Sequence, residues 1–74
     1  MCYLTGAAVR AGDRVQYRGD FAKVVFVSNG EDSESWPGYE GYSGYDRGLV
    51  LCDDDGTTNM LTETDEDLVL VTRA

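Results

Sequence analysis

Two groupings in the sequence could carry chemistry. One is the carboxylate run Asp53-Asp54-Asp55-Gly56, and the other is the aromatic run Trp36-Pro37-Gly38-Tyr39-Glu40-Gly41-Tyr42-Ser43-Gly44-Tyr45-Asp46. A helix–loop–helix calcium site needs acidic groups at alternate positions before its glycine and a glutamate six residues after it. Leu51 and Thr62 occupy those places, so the run reads as a hairpin turn in which Asp55-Gly56 supplies positive φ. The chain has no histidine, which removes the commonest general base and metal ligand. Cys2 and Cys52 have no imidazole to activate them and cannot fill the four positions of a zinc site. A working carboxylate pair needs a cleft, which so short a chain provides poorly. The expectation is a protein with no catalytic residue, metal or cofactor, one that works by binding.

The Gly-Tyr-x triplet occurs three times in succession, at Gly38, Gly41 and Gly44. No Lys-Ser or Lys-Thr follows and no helix opens behind it, so it is not a phosphate loop. Glycine at every third place disfavours a helix. In an extended, polyproline-like course the three-residue period would align Tyr39, Tyr42 and Tyr45 along one side. Three readings stay open. Trp36 and one or two tyrosines fold back to cap an open end of the domain, or they form a contact surface of large area and small entropic cost. In the third, Tyr17, Trp36 and two loop tyrosines build an aromatic cage for a methylated cation.

The formal net charge is −8, and it is placed unevenly: residues 1–30 carry +2 and residues 31–74 carry −10. Such a surface repels nucleic-acid backbones and suits a basic protein partner. The expected contact surface joins Trp36, Tyr39, Glu40, Tyr42, Tyr45 and Asp46 to the acidic residues Glu31, Asp32, Glu34, Asp53, Asp54 and Asp55. The competing account of each acidic cluster is a solvated face that keeps the chain soluble.

These groups need elements to position them. Seventy-four residues make a single domain, 1–74, with one small core. Residues 1–13 form a lead-in with a turn at Gly12-Asp13. Arg14 to Arg18 alternates with period two, placing Val15 and Tyr17 on one face. Gly19-Asp20 then reads as a two-residue hairpin, followed by an antiparallel second strand from Phe21 to Ser28. That strand is apolar on both faces beyond Lys23, as a central and strongly bent strand would be. Asn29 to Arg47 is a long connection. Leu49 to Cys52 is the third strand, and Thr57 to Thr62 returns after the acidic turn. Thr64 to Asp67 fits one capped helical turn. Leu68 to Thr72, apolar on both faces, should lie between neighbours or close a barrel.

Five short strands of this kind form a small bent antiparallel sheet that avoids exposed edges by curling on itself. The order resembles a five-stranded SH3-like barrel with a long loop between strands 2 and 3. Val9-Arg10-Ala11-Gly12-Asp13-Arg14-Val15 followed by Ala22-Lys23-Val24-Val25-Phe26-Val27 is similar to the opening hairpin of Tudor and KOW-type members of that class. Asp53-Asp54-Asp55-Gly56 followed by Asp65-Glu66-Asp67-Leu68 resembles small bacterial SH3-like proteins, some of which are immunity partners of polymorphic toxins. KOW modules contact nucleic acid through basic surfaces, and this chain departs from that.

The resemblance and the charge together imply an inhibitor or immunity protein that occupies the basic site of a toxin, plausibly a nuclease. The alternatives are a Tudor-like reader of a basic or methylated peptide and a phage-borne inhibitor of a nuclease complex that mimics nucleic acid. The start Met1-Cys2-Tyr3-Leu4-Thr5 lacks a basic n-region and an apolar h-region, so the expectation is a full-length cytoplasmic protein without a membrane span. Cys2 and Cys52 are expected to be reduced and to behave as small hydrophobes. Pairing of two copies through the last strand is compatible with the chain but not required by it.

Overall fold

The computed structural model describes residues 1–42 and 47–73, with the backbone alone for Tyr42. The chain forms an all-β antiparallel sheet of six strands: β1 (Arg14–Tyr17), β2 (Asp20–Ser28), β3 (Ser33–Ser35), β4 (Gly48–Asp53), β5 (Thr58–Leu61) and β6 (Leu68–Thr72). Its path is β5-β4-β2-β1-β6, and β3 pairs with β2 beside that path. Among the described residues β5 and β6 do not pair with one another, so the sheet is not closed. The expectation of five strands is corrected by β3, which lies inside the long connection. Three residues of alternating small and charged side chains gave no period to detect, and the strand exists because the far end of β2 offers an unpaired edge.

β2 is the centre of the sheet. One edge of it meets β4 along almost its full length, from Ala22–Asp53 to Ser28–Gly48. The other edge is divided among four partners. Asp20 to Lys23 pair with β1, and Val24 exchanges backbone bonds with Gly12 and Asp13. The Val25 carbonyl accepts the Trp36 N–H at 2.8 Å, and Phe26 to Ser28 pair with β3.

The apolar run of β2 serves both faces because of a bulge. Val24 faces Leu51 and Phe26 faces Val50, so Val25 is an extra residue that shifts the phase of the side chains. Ala22, Val24 and Val27 therefore enter one core with Tyr3, Val9, Val15, Leu49, Leu51 and Leu68. Val25 and Phe26 enter a second cluster with Val50 on the opposite face. Tyr17, Leu61 and Leu70 pack against the first cluster.

Two turns differ from expectation. The β1–β2 hairpin pairs Tyr17 with Asp20, so its central residues are Arg18 and Gly19, not Gly19 and Asp20. Both have positive φ, 52° and 88°, which is the type I′ geometry whose twist matches the flanking strands. Residues 64–67 form no helix. Asp65 instead accepts the Asp67 N–H on Oδ1 and the Leu68 N–H on its carbonyl, which closes a turn leading into β6. The β4–β5 turn follows the sequence: Gly56 donates to the Asp53 carbonyl at 2.9 Å, and Asp53 N–H bonds the Thr57 carbonyl at 2.8 Å. Gly56, at φ 90°, makes the left-handed step that such a turn requires.

The lead-in is tied down by a buried carboxylate. Cys2 and Ala8 form an isolated bridge that folds residues 1–9 over the first core. Asp13 is fully buried; its Oδ2 accepts the Tyr3 hydroxyl at 2.8 Å and the Arg10 N–H at 3.0 Å. Arg73, beyond β6, brings its Nε to 3.2 Å from Oδ1 and donates from Nη2 to the Ala8 carbonyl at 2.7 Å. The N-terminal segment and the end of the last strand are thus held by one charge, at a site where an unpaired carboxylate would be strongly destabilising. The cysteines are both free. Cys52 packs against the second cluster as a small hydrophobe, whereas Cys2 is exposed.

Candidate functional site

Trp36 and Tyr39 are placed by a local turn. Tyr39 N–H bonds the Trp36 carbonyl at 3.0 Å, with Pro37 and Gly38 between them and Gly38 at φ 96°. Proline then glycine at the centre is the type II signature. The Glu40 carboxylate accepts the Gly38 N–H at 3.0 Å and holds the far side of the turn. The turn folds both rings onto Val25, Phe26 and Val50, and the Tyr39 hydroxyl reaches Cys52 Sγ at 3.8 Å. The part of the aromatic run that is described therefore covers a second apolar face of the sheet. A short helical turn of 3-10 type, Glu40–Tyr42, follows.

The cage grouping is corrected. Tyr17 packs against the first core and Trp36 against the second, on opposite faces of the sheet. The face of Trp36 is also occupied, since Lys23 Nζ lies 4.3 Å from the ring centroid. Tyr17 carries its own cation, with Arg18 stacked at 5.1 Å. Tyr45, Asp46 and the Tyr42 side chain, expected at the contact surface, lie outside the described residues.

The acidic residues divide into separate places. Glu31 and Asp32 sit at the tip of the β2–β3 hairpin, where Asn29 Oδ1 accepts both of their N–H groups at 3.0 and 2.8 Å. Their carboxylates are exposed. Asp53, Asp54 and Asp55 sit at the other end of β2, beside Asp20. The two groups sit at opposite ends of the nine-residue β2, and Asp32 and Asp53 to Asp55 line different grooves.

Ion pairs consume part of the charge. Glu34 accepts two hydrogen bonds from Arg10 Nε at 3.1 Å and one from Nη2 at 2.9 Å, and it also accepts the Ala11 N–H at 2.7 Å. Those bonds hold its carboxyl below the usual glutamate range, Arg10 contributing most. Asp54 is paired with Arg14 at 2.8 Å. Both residues were expected to be open to a partner, and both instead lock neighbouring segments together. Asp55 is held below the ordinary carboxylate range by the Thr57 N–H, which it accepts at 2.9 Å.

An acidic groove of about 390 Å³ is lined by Gly19, Asp20, Phe21, Asp53, Asp54 and Asp55, of which Asp54 is the carboxylate paired with Arg14. Phe21 is 47% exposed within it, with the Arg14 guanidinium 5.7 Å from its ring centroid. A second groove of about 290 Å³ adjoins through Asp53 and Asp54 and contains Trp36, Tyr39, Lys23 and Arg14. Asp20 and Phe21 were absent from the expected surface. The signal in the sequence was a hydrophobic residue directly after a tight turn, on the polar face of its strand.

Among the described residues no group of histidine, cysteine and carboxylate side chains could hold a metal ion. None of the described helices is long and apolar enough to cross a membrane. No protein-family model matches the chain, and comparison with curated proteins and with solved structures yields no match.

Proposed function

We propose that this chain is a non-enzymatic acidic binding protein of SH3-like architecture, an inhibitor or immunity protein that occupies a basic site of a toxin, with a nuclease as the leading case. The observation that carries the reading is the exposed Phe21 between two carboxylate-bearing turns, Asp20 on one side and Asp53 to Asp55 on the other. Arg14 lies over the Phe21 ring and is paired with Asp54, while Asp20, Asp53 and Asp55 keep the groove net acidic. An apolar anchor in such a setting fits a cationic site with an apolar floor, and the carboxylates would steer such a partner during encounter. The SH3-like assignment is supported by the strand path, in which the last strand lies beside the first and a bulged second strand bends the sheet.

A tagged chain used to capture its partner from the source cell, followed by mass spectrometry, identifies the target, which we place in the cytoplasm. Phe21→Ser and the pair Asp20→Asn with Asp55→Asn should each weaken the captured complex, the second mainly through its association rate and salt dependence. Affinity insensitive to salt, or unchanged by both variants, would overturn the reading.

A further inference from the structure

Phe21 and Lys23 lie on one face of β2, and the register sets Gln16 of β1 opposite Phe21 and Arg14 opposite Lys23. Arg14 is thus the diagonal neighbour of Phe21, within reach of a long side chain. Its guanidinium carbon lies 5.7 Å from the Phe21 ring centroid. The same guanidinium meets the Asp54 carboxylate with two nitrogens, Nη1 to Oδ1 at 2.8 Å and Nη2 to Oδ2 at 2.9 Å. A forked ion pair beside an aromatic ring is the arrangement that suits a guanidinium better than an ammonium. In the free chain this place is filled by one of the chain's own arginines.

That occupant is lightly held. The Arg14 and Asp54 side chains are 38% and 64% exposed, and an exposed ion pair contributes little to stability. Asp20, Asp53 and Asp55 line the same groove, and among the described residues none of the three makes an ion pair. Four carboxylates face one arginine, so the groove is undersupplied with positive charge.

We propose that the groove at Phe21 receives an arginine side chain of a protein partner, which displaces Arg14 from the ring and from Asp54. This rests on the acidic groove of the proposed function and names the group that the groove recognises. The incoming guanidinium makes the contacts that Arg14 gives up, and Asp20, Asp53 and Asp55 add attraction that Arg14 leaves unused. Once displaced, Arg14 still has Asp53 in the adjoining groove that both of them line.

The probes are amidated tri-arginine and tri-lysine peptides, titrated into the full chain and followed by two-dimensional NMR. Tri-arginine should bind about two- to fivefold tighter than tri-lysine, with shifts centred on Phe21 and Asp54. Arg14→Lys keeps the charge but gives up the fork and the stacking, so it should raise tri-arginine affinity about twofold or more. Phe21→Leu keeps an apolar side chain and every charge, and it should erase the preference for arginine; circular dichroism should show both variants folded. Equal affinity for the two peptides, falling with salt for both, would overturn the arginine seat and leave the acidic groove of the proposed function standing. No binding of either peptide, unchanged affinity in Arg14→Lys, or shifts centred away from Phe21 would overturn the seat as well.

Discussion

The Tyr3 hydroxyl donates a 2.8 Å hydrogen bond to Oδ2 of Asp13, a carboxylate with no exposed surface. Burial, together with the neighbouring charge of Asp13, pushes the ionisation of Tyr3 well above the ordinary tyrosine value of 10.0. The folded chain therefore retains a proton that the unfolded chain releases above that value. Stability conferred by the neutral phenol is complete below about pH 10 and falls as pH rises beyond it. Urea titration across the alkaline range should show this slope, and Tyr3→Phe should flatten it while costing about 1–3 kcal/mol at neutral pH.

Removing the carboxylate itself is expected to cost more. Asp13→Ala leaves the Tyr3 hydroxyl, the Arg10 N–H and the Arg73 guanidinium without their shared acceptor. A loss of about 3 kcal/mol or more is a large share of the stability available to a domain of this size. Chemical denaturation should place Asp13→Ala near or below its folding threshold, with the end of β6 and residues 1–9 losing exchange protection together.

Glu34 contributes to the acid limb. Its carboxyl is held below the ordinary value by Arg10 and by the Ala11 N–H. The stabilisation is present above the ordinary glutamate value and is lost as pH falls through the depressed one. Because the pair is exposed, Glu34→Gln should cost about 1 kcal/mol or less at neutral pH, with a smaller cost in high salt. A denaturation midpoint that declines equally for both chains on acidification would contradict this.

Gly38 holds the turn that lays Trp36 and Tyr39 over the second cluster. At φ 96° a Cβ is strained even though nothing crowds it. Gly38→Ala should cost about 1–2 kcal/mol and shift Trp36 emission to the red as the ring leaves Val25 and Phe26. Unchanged emission would mean that the rings are held by packing alone.

Arg18 is the one described residue other than glycine with positive φ. Arg18→Asn creates the Asn-Gly pair that type I′ turns favour, at the cost of exposed contacts to Tyr17 and Asp67. A net gain of about 0.5 kcal/mol should raise the melting temperature by about 2–4 °C, read by calorimetry.

Much of the strand content was legible because alternation and turn residues act over a few neighbours. Val15 and Tyr17 on one face, the acidic turn before β5 and the span of β6 all follow from local pattern. β3 was not legible, because a three-residue strand has no period and depends on an edge supplied by residues 26–28.

The candidate site was legible in its ingredients and not in its grouping. Composition and spacing excluded histidine chemistry, a zinc site and a calcium loop, and they marked the aromatic run and the acidic clusters as the features to place. Which carboxylates are engaged could not be read, since Glu34 meets Arg10 across 24 positions and Asp54 meets Arg14 across 40. The assembly of Asp20 and Phe21 with Asp53 to Asp55 likewise needs two hairpins to end side by side. Local sequence determines which residues can turn, extend or carry charge. The bulge at Val25 and the order of the strands decide which of them meet, because one inserted residue changes the face of every side chain beyond it.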